Sequence, residues 1–214
     1  MHFLYDSYFY FVGFSAGIYL VLLNHFLHSC QLASKKNMFN LLTLSLLGVL
    51  SSKALFIMTS GVANHTLKGG LVFFGFLIPT FAFWLLSDFS KKSLDFFGSA
   101  GKSLALAHSI GRLGCWVNGC CYGELFSLPL QALESVFLFL VFIRLQKTKN
   151  ADIFFIYIIT YCPFRFLIEF YRDDIIRGGI TGFSTSQMIA IALVCMSILR
   201  KFSEQKFQEH KVPI

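Results

Sequence analysis

The chain has 214 residues and a net charge of +7, and it is 56% hydrophobic but only 14% charged, with a mean hydropathy of +0.66. Soluble domains are about 45–50% apolar and about 25% charged, and a soluble domain of this size could not bury so much apolar surface. The composition therefore indicates an integral membrane protein. The basic residues lie between apolar stretches rather than on one face, so we expect no nucleic acid partner.

Apolar segments long enough to cross a bilayer recur along the whole chain. A spanning helix needs ~20 mostly apolar residues because the hydrocarbon core is ~30 Å thick. The sequence predicts an all-α, polytopic membrane protein with about seven transmembrane helices in a single domain over residues 1–214. We place the spans near residues 8–27, 39–58, 70–86, 96–117, 128–145, 153–171 and 184–199. The fourth span is marginal because it contains Lys102 and Arg112.

The distribution of lysine and arginine predicts the orientation of these spans. With the N-terminus outside, the inner loops and the tail hold eleven of these cations, whereas the outer loops hold three, Lys68, Arg172 and Arg177. Cytoplasmic loops of membrane proteins carry the excess of Lys and Arg. We therefore expect an N-out, C-in topology.

Several ionisable residues fall inside predicted spans, where a charge costs ~2.5–3.5 kcal/mol on insertion scales. They are Lys53, Arg112, Glu134, Arg165 and Glu169. One interpretation is mutual ion pairing that fixes helix packing. The other is an excess of positive charge that binds an anionic ligand.

The spacing of Arg165, Glu169 and Arg172 favours the anionic ligand. These residues stand at i, i+4 and i+7, so they share one helix face and Glu169 can pair with either arginine. A guanidinium stays charged when desolvated and suits bidentate contact with phosphate. The phosphate most available inside a membrane belongs to a glycerophospholipid headgroup.

The segment from His108 to residue 123 is rich in glycine, and it contains the turn signal Asn118-Gly119. We predict a helix that ends in a tight polar loop at the outer membrane surface. Irregular backbone at that depth is tolerated where protein or a wet cavity surrounds it, which favours a cavity entrance. Pro129 then opens the fifth helix, followed by Gln131 and Glu134 at neighbouring positions.

The six cysteines have neither a CxxC pair nor the spacing of a secreted disulfide scaffold. Three interpretations of Cys120 and Cys121 stay open: packing of small residues, a disulfide with Cys115 at the outer surface, or a nucleophile. No His/Cys spacing nearby suits zinc, so we expect neither a metal nor another cofactor.

The motifs of this region resemble those of the prolipoprotein diacylglyceryl transferase family. The family signature Gly-Arg-x-Gly-Asn-Phe-x-Asn-Gly-Glu is matched here by Gly111-Arg112-Leu-Gly114-Cys115-Trp116-Val-Asn118-Gly119-Cys120. Two later patterns match Pro129, Gln131 and Glu134, and then Tyr161, Arg165, Glu169 and Arg172. Ser186-Gln187 matches a Gly-Gln pair, and Lys53 stands where the family usually has arginine. Tyr8 is the best match for an essential tyrosine, with Tyr5 and Tyr10 as competitors.

The resemblance implies a seven-helix enzyme of the bacterial inner membrane. Such an enzyme moves the diacylglyceryl group of phosphatidylglycerol onto the lipobox cysteine of a prolipoprotein signal peptide. By this resemblance Arg112 and Arg165 hold the lipid phosphate, Glu169 positions Arg165 and Asn118 shapes the binding pocket. The other substrate-binding residues that it implies are Tyr8, Lys53, Gly111, Gly114, Gly119, Glu134, Tyr161 and Arg172.

The chain departs from the family pattern at three positions. Phe74 replaces the histidine of a Gly-Gly-x-x-x-His-Gly motif, Cys115 replaces an asparagine and Cys120 replaces a glutamate. Because a phenylalanine cannot accept a proton, another group must serve as the base for the acceptor thiol. His108 lies four residues before Arg112 on the same helix face and is the candidate catalytic histidine, with His65 as a second candidate. For both, a hydrogen-bonded structural histidine is the alternative interpretation.

Two other functions fit the same residues. Phe74 and Cys120 agree with a relative of the family that binds phospholipid without catalysis. A solute transporter would use the buried charges as a pathway.

Overall fold

The computed structural model describes residues 2–32, 34–59, 73–119, 123–125, 127–148, 152–172, 179–180 and 182–209. Within these ranges the chain forms seven α-helices and four two-residue strands. The helices are α1 (His2–Ser29), α2 (Lys35–Thr59), α3 (Phe73–Leu86), α4 (Lys91–Val117), α5 (Leu130–Lys147), α6 (Ile153–Ile168) and α7 (Thr185–Glu209). The predicted all-α architecture is confirmed.

Two short hairpins precede helices in the second half of the chain. Strands β1 (Glu124–Leu125) and β2 (Leu128–Pro129) pair antiparallel before α5, and β3 (Gly179–Ile180) and β4 (Phe183–Ser184) pair antiparallel before α7. A 3₁₀ turn, Glu169–Tyr171, extends α6. The second half therefore consists of two helix–hairpin–helix units, α4 with α5 and α6 with α7.

Helix α4 is the centre of the helix packing, because it contacts α1, α5 and α6. Its buried face carries small side chains, among them Ala100, Ser103 and Ala105, which let neighbouring helices approach closely. Ser109 and Ser135 each donate a hydroxyl hydrogen bond of 2.9 Å to the other's carbonyl and join α4 to α5. Polar hydrogen bonds of this kind hold helices together where lipid supplies no hydrophobic force.

Helix α2 packs chiefly on α3, and the contact depends on Gly75. A Cβ on Gly75 would lie 2.7 Å from the carbonyl oxygen of Ser51, closer than real side chains come. The opposite surface of α2 exposes large apolar side chains, including Phe39, Leu46 and Leu50. An apolar outer surface is what a lipid-facing helix requires.

Two helices in the described part of the chain are long and apolar enough to span a membrane, Ile153–Tyr171 and Thr185–Phe207. Two shorter apolar helices, Leu42–Met58 and Phe73–Leu86, accompany them. These findings are consistent with a helical membrane protein.

The last helix continues past residue 199, where we placed the end of the seventh span, to Glu209. Arg200 on this extension donates hydrogen bonds to the carbonyls of Leu85 and Ser87 at 2.9 and 3.1 Å, and so caps the end of α3. Lys201 pairs with Asp152 at 2.6 Å. These contacts explain why the helix persists beyond its apolar stretch.

Candidate functional site

A buried carboxylate, Glu134 on α5, lies at the centre of the candidate site. Its Oε2 is 2.9 Å from Nε of Arg112 on α4, and its Oε1 is 3.8 Å from Nε of Arg165 on α6. The hydroxyl of Tyr161 donates to Oε1 at 2.9 Å. The structure thus brings together four of the predicted site residues from three helices.

A second carboxylate, Glu169, continues the cluster at the end of α6. Its Oε2 lies 2.5 Å from Nη1 of Arg165 and 3.7 Å from Nε of Arg172. The hydroxyl of Ser184, in β4, donates to Oε1 at 2.8 Å. Glu169 therefore contacts Arg165 within α6 and Arg172 beyond it, and it ties α6 to the hairpin before α7. Arg172 lies in extended backbone after the 3₁₀ turn, so it does not share the helix face on which the sequence placed it.

The described members of this cluster are paired with one another, and they include one more cation than anion. Among the described residues it contains the guanidinium groups of Arg112, Arg165 and Arg172 and the carboxylates of Glu134 and Glu169, which leave one positive charge. Their side chains are between 2% and 10% exposed. Mutual pairing, the first interpretation of the sequence, is therefore observed in this cluster, while the binding of an anionic ligand stays a prediction.

His108 lies at the edge of this cluster, between aromatic rings. Its imidazole stacks on Phe73 with a ring-centre distance of 3.4 Å and an interplanar angle of 9°. Its Nδ1 is 3.4 Å from the hydroxyl of Tyr157, and its Nε2 is 4.0 Å from Oε1 of Glu134. The side chain is 3% exposed, so these neighbours define its environment.

The signature glycines and Asn118 form the end of α4 and the turn after it. Asn118 is the C-cap residue, and its side-chain amide donates to the carbonyl of Gly114 at 2.7 Å. Gly119 adopts a φ of +58°, and a Cβ on Gly111 would have Ser15 Oγ as its nearest neighbour at 3.7 Å. The structure therefore gives Asn118 a capping contact, while its part in shaping a lipid pocket stays a prediction.

Gly123 joins the two helix–hairpin–helix units through a β-bridge to Arg172. Its φ is +147°, and a Cβ there would lie 2.5 Å from the carbonyl oxygen of Tyr171. Its own carbonyl accepts a hydrogen bond of 3.0 Å from the backbone of Leu130, the first residue of α5. Only glycine fits this backbone, which holds Arg172 in place beside α5.

Two predicted site residues are not placed in this cluster. Lys53 lies in α2 with its ammonium 5.2 Å from the ring centre of Phe56, and the described ion pairs of Glu134 are with other residues. Tyr8 falls within α1, but its side chain lies outside the described residues, as do those of Tyr5 and Tyr10.

Several residues that bear on catalysis also fall outside the described ranges. They are His65, Cys120 and Cys121, so the hypotheses of a disulfide, a nucleophile and a second base candidate stay predictions. Phe74, at the position of the family histidine, is buried with its ring centre 6.1 Å from that of Tyr161. Among the described residues no group of His, Cys, Asp or Glu side chains is arranged to hold a metal ion.

Sequence reasoning missed Tyr157, Phe73 and Ser184. Tyr157 stands four residues before Tyr161 and eight before Arg165, so helical spacing could have placed it on the same face. No comparable signal exists for Phe73 or Ser184, because they reach the site through tertiary packing of α3 and β4.

Comparison with known proteins identifies the family of the chain. The family model for prolipoprotein diacylglyceryl transferase matches residues 5–202. The chain is 32% identical to a phosphatidylglycerol–prolipoprotein diacylglyceryl transferase of Clostridium tetani, over 45% of this chain and 48% of the relative. A relative of the same name from Dehalococcoides mccartyi is 29% identical over 60% of this chain and 59% of its own length.

A third relative, phosphatidylglycerol–prolipoprotein diacylglyceryl transferase 2 of Clostridium perfringens, is 28% identical over 78% of both chains. The chain thus spans about half to three fifths of the length of the first two relatives. No solved structure matches it. Because the family model matches nearly the whole chain, including every residue around Glu134, the chain belongs to the prolipoprotein diacylglyceryl transferase family.

Proposed function

We propose that this chain transfers the diacylglyceryl group of phosphatidylglycerol to the lipobox cysteine of a prolipoprotein signal peptide. The cysteine sulfur forms a bond to the glyceryl carbon, the bond from that carbon to the phosphate oxygen breaks, and glycerol phosphate leaves. The thiol proton passes to a base. The protein would lie in the bacterial inner membrane and cross it seven times, with the N-terminus outside and the C-terminus inside.

The observation that carries this proposal is the convergence of Arg112 and Arg165 on one carboxylate. They come from α4 and α6, and both lie against Glu134, at 2.9 and 3.8 Å. Two guanidinium groups this close, with a net positive charge, form a binding site for a single anion. Positive groups fixed in advance where negative charge develops on the leaving phosphate usually make the largest single contribution to catalysis.

Both arginines are predicted to be required for transfer. In phosphatidylglycerol vesicles with a fluorescent lipobox peptide, we expect Arg112→Lys and Arg165→Lys each to lower the transfer rate by about 100-fold or more, since a lysine cannot reproduce the bidentate contact. The matched control is Arg144→Lys at the exposed end of α5, which should retain the rate. Transfer at the control rate by either variant would refute the role assigned to that arginine.

A second candidate function is phospholipid binding without transfer, and Phe74 is the observation that favours it. The family histidine is replaced here by a buried ring that cannot move a proton. Phosphatidylglycerol that co-purifies with the wild-type protein, with no transfer to any lipobox peptide, would support this candidate over the transferase.

A further inference from the structure

The hydroxyl of Tyr157 has one hydrogen-bond partner within the described residues, the Nδ1 atom of His108 at 3.4 Å. Tyr157 is completely buried on α6, and its ring stacks on Tyr161 with an interplanar angle of 7°. A buried hydroxyl group normally has a hydrogen-bond partner. The Tyr157 hydroxyl donates to Nδ1 when that nitrogen is unprotonated, and it accepts from Nδ1 when the proton is there.

The direction of this contact depends on which imidazole nitrogen carries the proton. In a neutral histidine one ring nitrogen is a donor and the other an acceptor. In the tautomer that places the proton of His108 on Nε2, Nδ1 accepts the hydrogen bond of the Tyr157 hydroxyl. The nearby carboxylate supports this assignment, since Oε1 of Glu134, 4.0 Å from Nε2, favours an N–H over a lone pair.

The Nε2 atom of His108 has no hydrogen-bond partner in the part of the chain that the structure describes. The 4.0 Å to Glu134 exceeds hydrogen-bond length. The atom is nevertheless buried and faces the cluster that holds Arg112, Arg165 and Tyr161. A buried donor beside an anion site is suited to an oxygen atom of the anion.

We propose that Tyr157 is a positioning residue that holds His108 in the Nε2–H form, and that His108 donates a hydrogen bond to an oxygen of a phospholipid headgroup. His108 is then a ligand-binding residue, and not the base that the sequence suggested. The proposal rests on the proposed function for the identity of the lipid. The observations behind it are the Tyr157 contact and an Nε2 atom without a hydrogen-bond partner among the described residues, and both are independent of any transfer activity.

The protonation state of His108 is tested directly by ¹⁵N NMR of histidine-labelled full-length protein in detergent micelles. The resonances of His108 are identified by their loss in His108→Gln. We expect an unprotonated Nδ1 and a protonated Nε2 in the wild type, and a loss of this preference in Tyr157→Phe. Tyr19→Phe, which removes another buried hydroxyl, should leave the His108 signals unchanged. A wild-type signal with the proton on Nδ1 would overturn the proposal.

The role of the donor is tested by comparing His108→Gln with His108→Asn in phosphatidylglycerol nanodiscs and in the transfer assay. The glutamine amide reproduces an N–H near Nε2, whereas the asparagine amide lies near Nδ1. We expect glutamine to retain lipid binding and most of the transfer, and asparagine to weaken lipid binding by about 10-fold or more, the value of a hydrogen bond to a charged acceptor.

If His108 were the base, both variants would bind lipid normally and lose transfer alike, and that result would refute the proposal. A wild-type protein that never transfers contradicts the proposed function instead. In that case the NMR and lipid-binding measurements still decide whether His108 is a donor.

Discussion

The carboxylate of Glu134 lies between two guanidinium groups and offsets their mutual repulsion inside the protein. Arg112 and Arg165 reach it from different helices, and Tyr161 adds a hydrogen bond. Desolvated charges are tolerated only when they are paired, and removing one partner leaves the other uncompensated. The carboxylate therefore contributes to stability as well as to the arrangement of the anion site.

Replacing this carboxylate is expected to destabilise the fold. Glu134→Gln keeps the size of the side chain but removes its charge, and we expect a loss of about 3 kcal/mol, as for other broken buried ion pairs. Unfolding by SDS titration in mixed micelles measures the effect. Glu124→Gln, in the exposed part of β1, is the control and should unfold like the wild type. Equal stability of the two variants would contradict the central position of Glu134.

Single residues of the site were predictable to the extent that their burial is costly. A charge inside an apolar span is costly to bury. This cost singles out four residues in the sequence, Arg112, Glu134, Arg165 and Glu169. That Arg112 pairs with Glu134 and not with Glu169 was not predictable, since it depends on how α4 and α5 pack. Tyr157 was missed because a tyrosine among apolar residues costs little and gives no signal of its own.

The elements repeat a pattern that hydropathy does not show. Each of the pairs α4–α5 and α6–α7 is joined through a hairpin of two-residue strands, and each first helix carries an arginine of the site near its end. The bridge between Gly123 and Arg172 links the two pairs. Apolar length predicted the helices, but strands of two residues are too short to give an alternating pattern, so the hairpins were not predictable.

The contribution of the close contact between α2 and α3 to stability can be tested by substitution. In Gly75→Ala the new methyl group would meet the backbone of Ser51 and Ser52, and we expect a destabilisation of about 1–3 kcal/mol from overpacking. The control is Gly17→Ala in α1, where nothing lies within 4 Å of the added Cβ. Thermal unfolding in detergent should separate the two variants; a Gly75→Ala protein as stable as Gly17→Ala would show that the helices do not depend on this contact.

For the whole molecule, the proposed orientation depends on the asymmetry of lysine and arginine between the two sides. We expect Glu124→Cys, an exposed position before α5, to react with an impermeant thiol reagent added to intact cells. Cys30, exposed after α1, should react only after permeabilisation. Both are measured in backgrounds without the other cysteines. The reverse pattern would invert the proposed topology.

The charge of the cluster around Glu134 and Glu169 has a consequence for turnover if the proposed reaction is right. Among the described side chains, the three guanidinium groups and two carboxylates sum to one positive charge, which a phosphodiester with its single negative charge would neutralise. Cleavage turns that diester into a monoester of about −1.5 to −2 at pH 7. The site then holds more negative charge than it can neutralise, so the same arginines that retain the intact lipid favour departure of the severed headgroup into water.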